Sequence, residues 1–126
     1  MQEHISTKDG EPRLGYTLSK SQIIFMNTVI ETPTFQKQSK KIWSEGERLD
    51  FISWIAVNPL AGDVIPNAEG ARKVRWSISG RGKRGGARII YFNQSKQGKI
   101  ILIAIYKKSD QKNISPREIQ EANNGH

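Results

Sequence analysis

The sequence holds no cysteine, and its two histidines, His4 and His126, stand at the extreme ends. Without cysteine there is no disulfide scaffold, thiolate metal site or cysteine nucleophile. Histidine pairs, Ser-His-Asp sets and histidine-rich metal centres have no residues to draw on. No apolar run approaches the roughly 18 residues of a membrane span; the longest, residues 100–106, has strand length. The first residues lack the apolar stretch of a secretory signal, so a reducing cytoplasm is the expected location and a membrane is not an expected partner. No two carboxylates have metal-ligand or glycosidase spacing, and no metal or cofactor is expected. Acid is scarce in one half only. Residues 1–70 carry 7 basic and 9 acidic side chains, residues 71–126 carry 13 and 3, and the chain totals +8 over 126 residues. A half with that imbalance fits a polyanionic partner.

The length suits one domain of roughly 100–150 residues. Residues 1–25 are polar and broken by Gly10, Pro12 and Gly15. They read as a flexible N-terminal extension, and the domain is expected over residues 26–126. A strand-like segment at 27–31 leads into Thr32-Pro33, which opens a helix with proline in its first turn. Phe35, Ser39 and Trp43 share one face. Ser44-Glu45-Gly46-Glu47 has the capping-box pattern, and Leu49, Ile52, Ile55 and Ala56 follow at helical spacing until Asn58-Pro59 stops the run. Residues 71–78 alternate, with Val74, Trp76 and Ile78 toward a core and Lys73, Arg75 and Ser77 away from it. Residues 87–92 and 99–106 have the Ile, Tyr and Phe of buried strands. The polar connection at 93–98 predicts an antiparallel hairpin between them. Ser115-Pro116-Arg117-Glu118 repeats the capping-box pattern and opens a last helix to about Ala122. The predicted architecture is a small α+β domain, β-α-α-β-β-β-α, with a helical hairpin packed on an antiparallel sheet and the helices on one face.

The densest feature is residues 72–88, where Arg72, Lys73, Arg75, Arg81, Lys83, Arg84 and Arg88 occur with no acid. Strand alternation fixes Lys73 and Arg75 together on the non-core face, and a rigid element aims charge better than a loop. Residues 80–85 spell G-x-G-x-x-G. The dinucleotide reading fails because an Ile- and Tyr-rich strand follows where a helix is required. What remains is a mobile cationic loop whose amides and arginines can follow a phosphate backbone. Lys107-Lys108 either blunts the end of the third long strand or joins the other cations on one surface. Trp76 has core parity, and Tyr91 and Tyr106 read as core or rim.

Four segments together resemble the RelE/HigB-like toxins of bacterial type II toxin–antitoxin systems. They are Asn58-Pro59-Leu60-Ala61-Gly62-Asp63-Val64-Ile65-Pro66, Gly70-Ala71-Arg72-Lys73-Val74-Arg75-Trp76, Gly80-Arg81-Gly82-Lys83-Arg84-Gly85-Gly86-Ala87-Arg88-Ile89-Ile90-Tyr91-Phe92, and Ile105-Tyr106-Lys107-Lys108. The resemblance implies a metal-independent endoribonuclease that enters the ribosomal A site and cuts messenger RNA there, with a cognate small antitoxin, of helix-turn-helix or another kind, as partner. The substrate's 2′-hydroxyl attacks the adjacent phosphate, so the protein supplies a base, charge stabilisation and an acid. Crowded cations favour a neutral amine on one lysine, as a base requires. By position, the resemblance makes Lys73 the candidate base and Arg75 a phosphate holder. It makes Arg88 the phosphorane stabiliser and Lys107 or Lys108 the cation gripping RNA or the leaving group. Arg72, Arg81, Lys83 and Arg84 would contact the RNA backbone.

The chain also departs from the family pattern. Some members carry a C-terminal tyrosine at the substrate, and residues 111–114 have none. The last helix is clipped, which bears on activity, and residues 1–25 are an addition. Two other readings use the same fold: a ParE-like toxin that binds DNA gyrase without cutting RNA, and a degenerate toxin that only binds its antitoxin.

Overall fold

The computed structural model describes residues 26–78, 86–110 and 114–124. The extension expected over residues 1–25 and the cationic loop with Arg81, Lys83 and Arg84 lie outside the described residues, as do residues 111–113.

The chain order is β1 (Thr28–Glu31), α1 (Pro33–Ser39), α2 (Glu45–Val57), β2 (Asp63–Val64), β3 (Ala71–Trp76), β4 (Ala87–Gln94), β5 (Lys99–Lys107) and α3 (Pro116–Asn124). Both helices of the hairpin start where their caps dictate. Thr32 accepts from the Phe35 amide, with Pro33 just inside the helix, and Ser44 and Glu47 close the capping box of α2. Each such cap contributes about 1 kcal/mol. Ser115 and Glu118 exchange the same two bonds ahead of α3. One expected core position differs. Leu49 is 38% exposed, and Phe51 is buried in its place with Ile52, Ile55 and Ala56. Leu49 sits roughly a quarter turn from the centre of that stripe.

The strands form one five-stranded sheet in the order β1-β5-β4-β3-β2. The expected β4–β5 hairpin is antiparallel, as are β3–β4 and β2–β3, but β1 runs parallel to β5. The sheet is therefore mixed where an antiparallel one was expected. No hairpin fixes the direction of β1. Its exit into α1 does, because the Thr32 hydroxyl donates to the Leu102 carbonyl at 2.9 Å. Beyond β1, the Gln38 side chain accepts from the Ile105 amide at 2.9 Å, covering the open edge of β5. Buried Glu31 pairs with Arg48, tying β1 to α2, and this bond raises the Arg48 pKa.

The helices do not lie on one face. Residues 87–92 and 100–106 are buried at both strand parities, and a strand apolar on both sides needs cover on both sides. The first face packs Val74, Ile89, Tyr91, Ile100, Leu102 and Ile105 against the α1–α2 hairpin. The second face packs Ala71, Ile90, Phe92, Ile101, Ile103, Ala104 and Tyr106 against Ile119 of α3 and Ala68 of the β2–β3 turn. Burying a side chain such as Ile119 contributes about 1.5–3 kcal/mol, which anchors this nine-residue helix on the sheet. A bulge in β5 sets the alignment: Ile90 stands opposite Ala104 and Tyr91 opposite Leu102, leaving Ile103 as the extra residue.

Candidate functional site

Strand parity and register place the cations. On β3, Lys73 and Arg75 share the parity of Ala71 and belong to the second face. Arg72, Val74 and Trp76 belong to the first. Arg75 stands opposite Arg88, and Arg88 stands opposite Tyr106. Arg75, Arg88 and Tyr106 thus form one row across three strands, and Lys73 lies one row further along, opposite Ile90. Arg75 is exposed, Lys73 is half-buried, and Arg88 is only 6% exposed. No acid occurs between Glu69 and Asp110. Among the described residues, no ion pair involves Arg75 or Arg88. The buried Arg88 Nη1 has no hydrogen-bond partner there either. A buried guanidinium without a counter-charge is costly; an anion placed on this row would remove that cost.

Arg72, expected with the RNA contacts, is placed elsewhere. It sits opposite Tyr91 on the first face and donates to the Gly62 carbonyl at 2.6 Å and the Leu60 carbonyl at 3.3 Å. Tyr91 completes the arrangement: its hydroxyl donates to the Pro59 carbonyl at 2.8 Å and accepts from the Gly62 amide at 3.0 Å. Burial holds the Tyr91 phenol above its usual pKa. A Cβ on Gly62 would lie 2.8 Å from the Lys73 carbonyl oxygen, so only glycine fits. The Asn58–Asp63 segment is therefore a latch that fastens the end of α2 to β3 and β4. Trp76 has the core role expected of it, with ring centroids 5.1 Å from both Phe51 and Trp54.

A profile of the RelE toxin of the RelE/RelB toxin–antitoxin system matches residues 56–124, which run from the end of α2 through α3. The chain belongs to the RelE toxin family. A solved structure of the Escherichia coli toxin RelE, an arginine double mutant in the free state, has the same fold. It superimposes with a TM-score of 0.52 at 13% identity, covering 79% of this chain and 96% of that one. The matched segment contains the whole cationic row and both residues of the latch's side-chain hold, Arg72 and Tyr91.

Within this RelE-family sheet, Tyr106 is the member of the row that sequence reasoning missed. Strict alternation along β5 groups Tyr106 with Ile100 and Leu102 on the first face. The extra residue at Ile103 reverses the parity beyond it and carries Tyr106 to the second face, beside Arg88. The Tyr106 hydroxyl is buried and, like Arg88 Nη1, has no partner among the described residues. Burial raises its pKa while the Arg88 charge works against that, so at neutral pH it holds its proton and can donate. The same reversal moves Lys107 off the row: it stands opposite Ala87 and is half-buried. Lys108 follows in the exposed turn at 108–110. Among the described residues no group of three His, Cys, Asp or Glu is placed to hold a metal, and no helix is long and apolar enough to cross a membrane. A cavity of about 570 Å³, lined by Glu31, Gln36, Trp43 and Arg48 among others, holds none of the cationic row.

Proposed function

We propose that this RelE-family toxin is a ribosome-dependent endoribonuclease that cuts messenger RNA in the A site and so inhibits translation. The observation that carries the reading is the acid-free row in which exposed Arg75 stands opposite buried Arg88, with Lys73 one row away on the same face. A messenger phosphodiester supplies the negative charge that the row lacks. The nucleophile is the substrate's own 2′-hydroxyl. A base removes its proton, O2′ bonds to phosphorus, and the 5′-oxygen leaves carrying a proton. The products are a 2′,3′-cyclic phosphate and a 5′-hydroxyl.

In this reading Lys73 is the base and Arg75 holds the phosphate. Arg88 stabilises the charge that grows on the phosphorane oxygens, a role worth about 3–4 kcal/mol for a preorganised donor. Lys108, with Lys107 beside it, grips RNA or protonates the leaving oxygen at the end of β5. Arg81, Lys83 and Arg84 contact the RNA backbone. Arg72 is left out, because its guanidinium already holds the latch carbonyls. No metal or cofactor takes part, the site of action is the cytoplasm, and a cognate antitoxin is the neutralising partner. The test is induction in bacteria with mapping of messenger 5′ ends. Codon-phased cuts confined to translated regions support the reading. Intact messengers together with gyrase-linked DNA damage would replace it with the non-nuclease one.

A further inference from the structure

Two buried polar atoms on the second face lack partners among the described residues: Arg88 Nη1 and the Tyr106 hydroxyl. They belong to residues directly opposite in the β4–β5 register, 6% and 5% exposed. Leaving one such group unpaired costs about 1–3 kcal/mol, more if charged, and native interiors rarely leave two adjacent ones unpaired. Both groups are donors. A guanidinium has no acceptor, and a phenol that keeps its proton donates it. The phenol oxygen is able to accept from a guanidinium, but that bond is not made; the protons of both groups lack an acceptor, and next to a cation the best acceptor is an anion.

We infer that Arg88 and Tyr106 form a two-donor anion subsite, and that Tyr106 is a substrate-contacting residue donating to a non-bridging phosphate oxygen. The phosphodiester as natural ligand rests on the ribonuclease reading; the subsite itself does not. Arg88 supplies charge and Tyr106 supplies direction, since a phenol buried in the second-face core presents its proton from a fixed position. The two atoms are closed to water in the free molecule, so an anion reaches them only with a local rearrangement. Arg75, the exposed end of the same row, is where such an ion first meets positive charge. The bulge at Ile103 acquires a purpose: without it Tyr106 would face the α1–α2 hairpin and the row would hold arginines alone.

The test uses the full chain, inorganic phosphate as probe, and tyrosine labelled at the ring carbon that bears oxygen. The chain has three tyrosines, Tyr16, Tyr91 and Tyr106, and Tyr106→Phe assigns the third signal while preserving shape. Phosphate is expected to shift the Tyr106 signal saturably and leave the other two in place. Phosphate affinity, followed on the Arg88 side-chain nitrogen signal, is expected to fall about ten-fold in Tyr106→Phe. An unmoved Tyr106 signal, or unchanged affinity in the phenylalanine variant, overturns the subsite. Cleavage of messenger on programmed ribosomes separates the two claims. Phosphate bound through Tyr106 by a protein that does not cut RNA upholds the subsite and removes the ribonuclease reading. Cleavage by the wild type with no phosphate response at Tyr106 removes the subsite alone. Where both hold, Tyr106→Phe is expected to lower kcat more than it raises KM.

Discussion

Arg88 stands directly opposite Arg75 across β3 and β4, one buried and one exposed, in a row that holds no acid. Like charges opposed on neighbouring strands destabilise a sheet, and a buried cation without a counter-charge adds to that cost. Arg88→Met keeps the volume and removes the charge. It is expected to leave thermal stability unchanged or raised, while messenger cleavage falls at least about 100-fold. A large drop in Tm would show that Arg88 serves the fold.

Arg72 and Lys73 are neighbours in sequence with opposite assignments. Arg72→Ala removes bonds to the Leu60 and Gly62 carbonyls and is expected to cost about 1 kcal/mol of stability. The folded protein should keep its cleavage rate per molecule. Lys73→Ala is expected to abolish cleavage by a protein that still folds cooperatively. Denaturant unfolding beside ribosomal cleavage assays separates the pair, and the reverse pattern would exchange the two roles.

The latch makes a sharper prediction about stability. Gly62→Ala drives a methyl against the Lys73 carbonyl, where a contact of 2.8 Å leaves only backbone to give way. A loss of about 1–3 kcal/mol is expected. Tyr91→Phe removes the bonds to Pro59 and Gly62 and is expected to cost about 1–3 kcal/mol. The two sites touch, so the double variant should lose less than the sum, as a denaturation cycle will measure.

These contrasts show what was legible in the sequence. Caps are local, so Ser44–Glu47 and Ser115–Glu118 announced both helix starts. Alternation is local too, and it put Lys73 and Arg75 on one face before any register was known. Relations between elements were less visible. The direction of β1 is set by the bond of Thr32 to a carbonyl 70 residues away. The position of α3 follows from β4 and β5 being apolar at both parities, a signal present in the sequence but open to a one-sided reading. Tyr106 was hidden by a single inserted residue, because a bulge reverses parity without changing composition. Charge alone groups Arg72 with the other cations, whereas its strand parity opposes it to Lys73.

Alkaline pH gives an independent check on burial. Tyr91 and Tyr106 both have folded pKa values raised by burial. A raised value means that the folded state holds the proton more tightly. Its contribution to stability is complete below the unfolded phenol value of about 10 and is lost as pH rises through the folded values. Unfolding free energy from these groups is therefore expected to decline above about pH 10. Tyr91→Phe and Tyr106→Phe should each flatten part of that decline. If neither variant changes the slope, the phenols are not buried as described.

The most direct test of the cationic row is the chemistry of the cut ends. Purified protein is incubated with ribosomes carrying a defined messenger, and the fragments are analysed by end-specific labelling and mass spectrometry. The expected result is cleavage only of ribosome-bound messenger, giving a 2′,3′-cyclic phosphate and a 5′-hydroxyl, and lost in Lys73→Ala and Arg88→Met. Fragments with 3′-hydroxyl and 5′-phosphate ends, or cleavage retained in both variants, would contradict it.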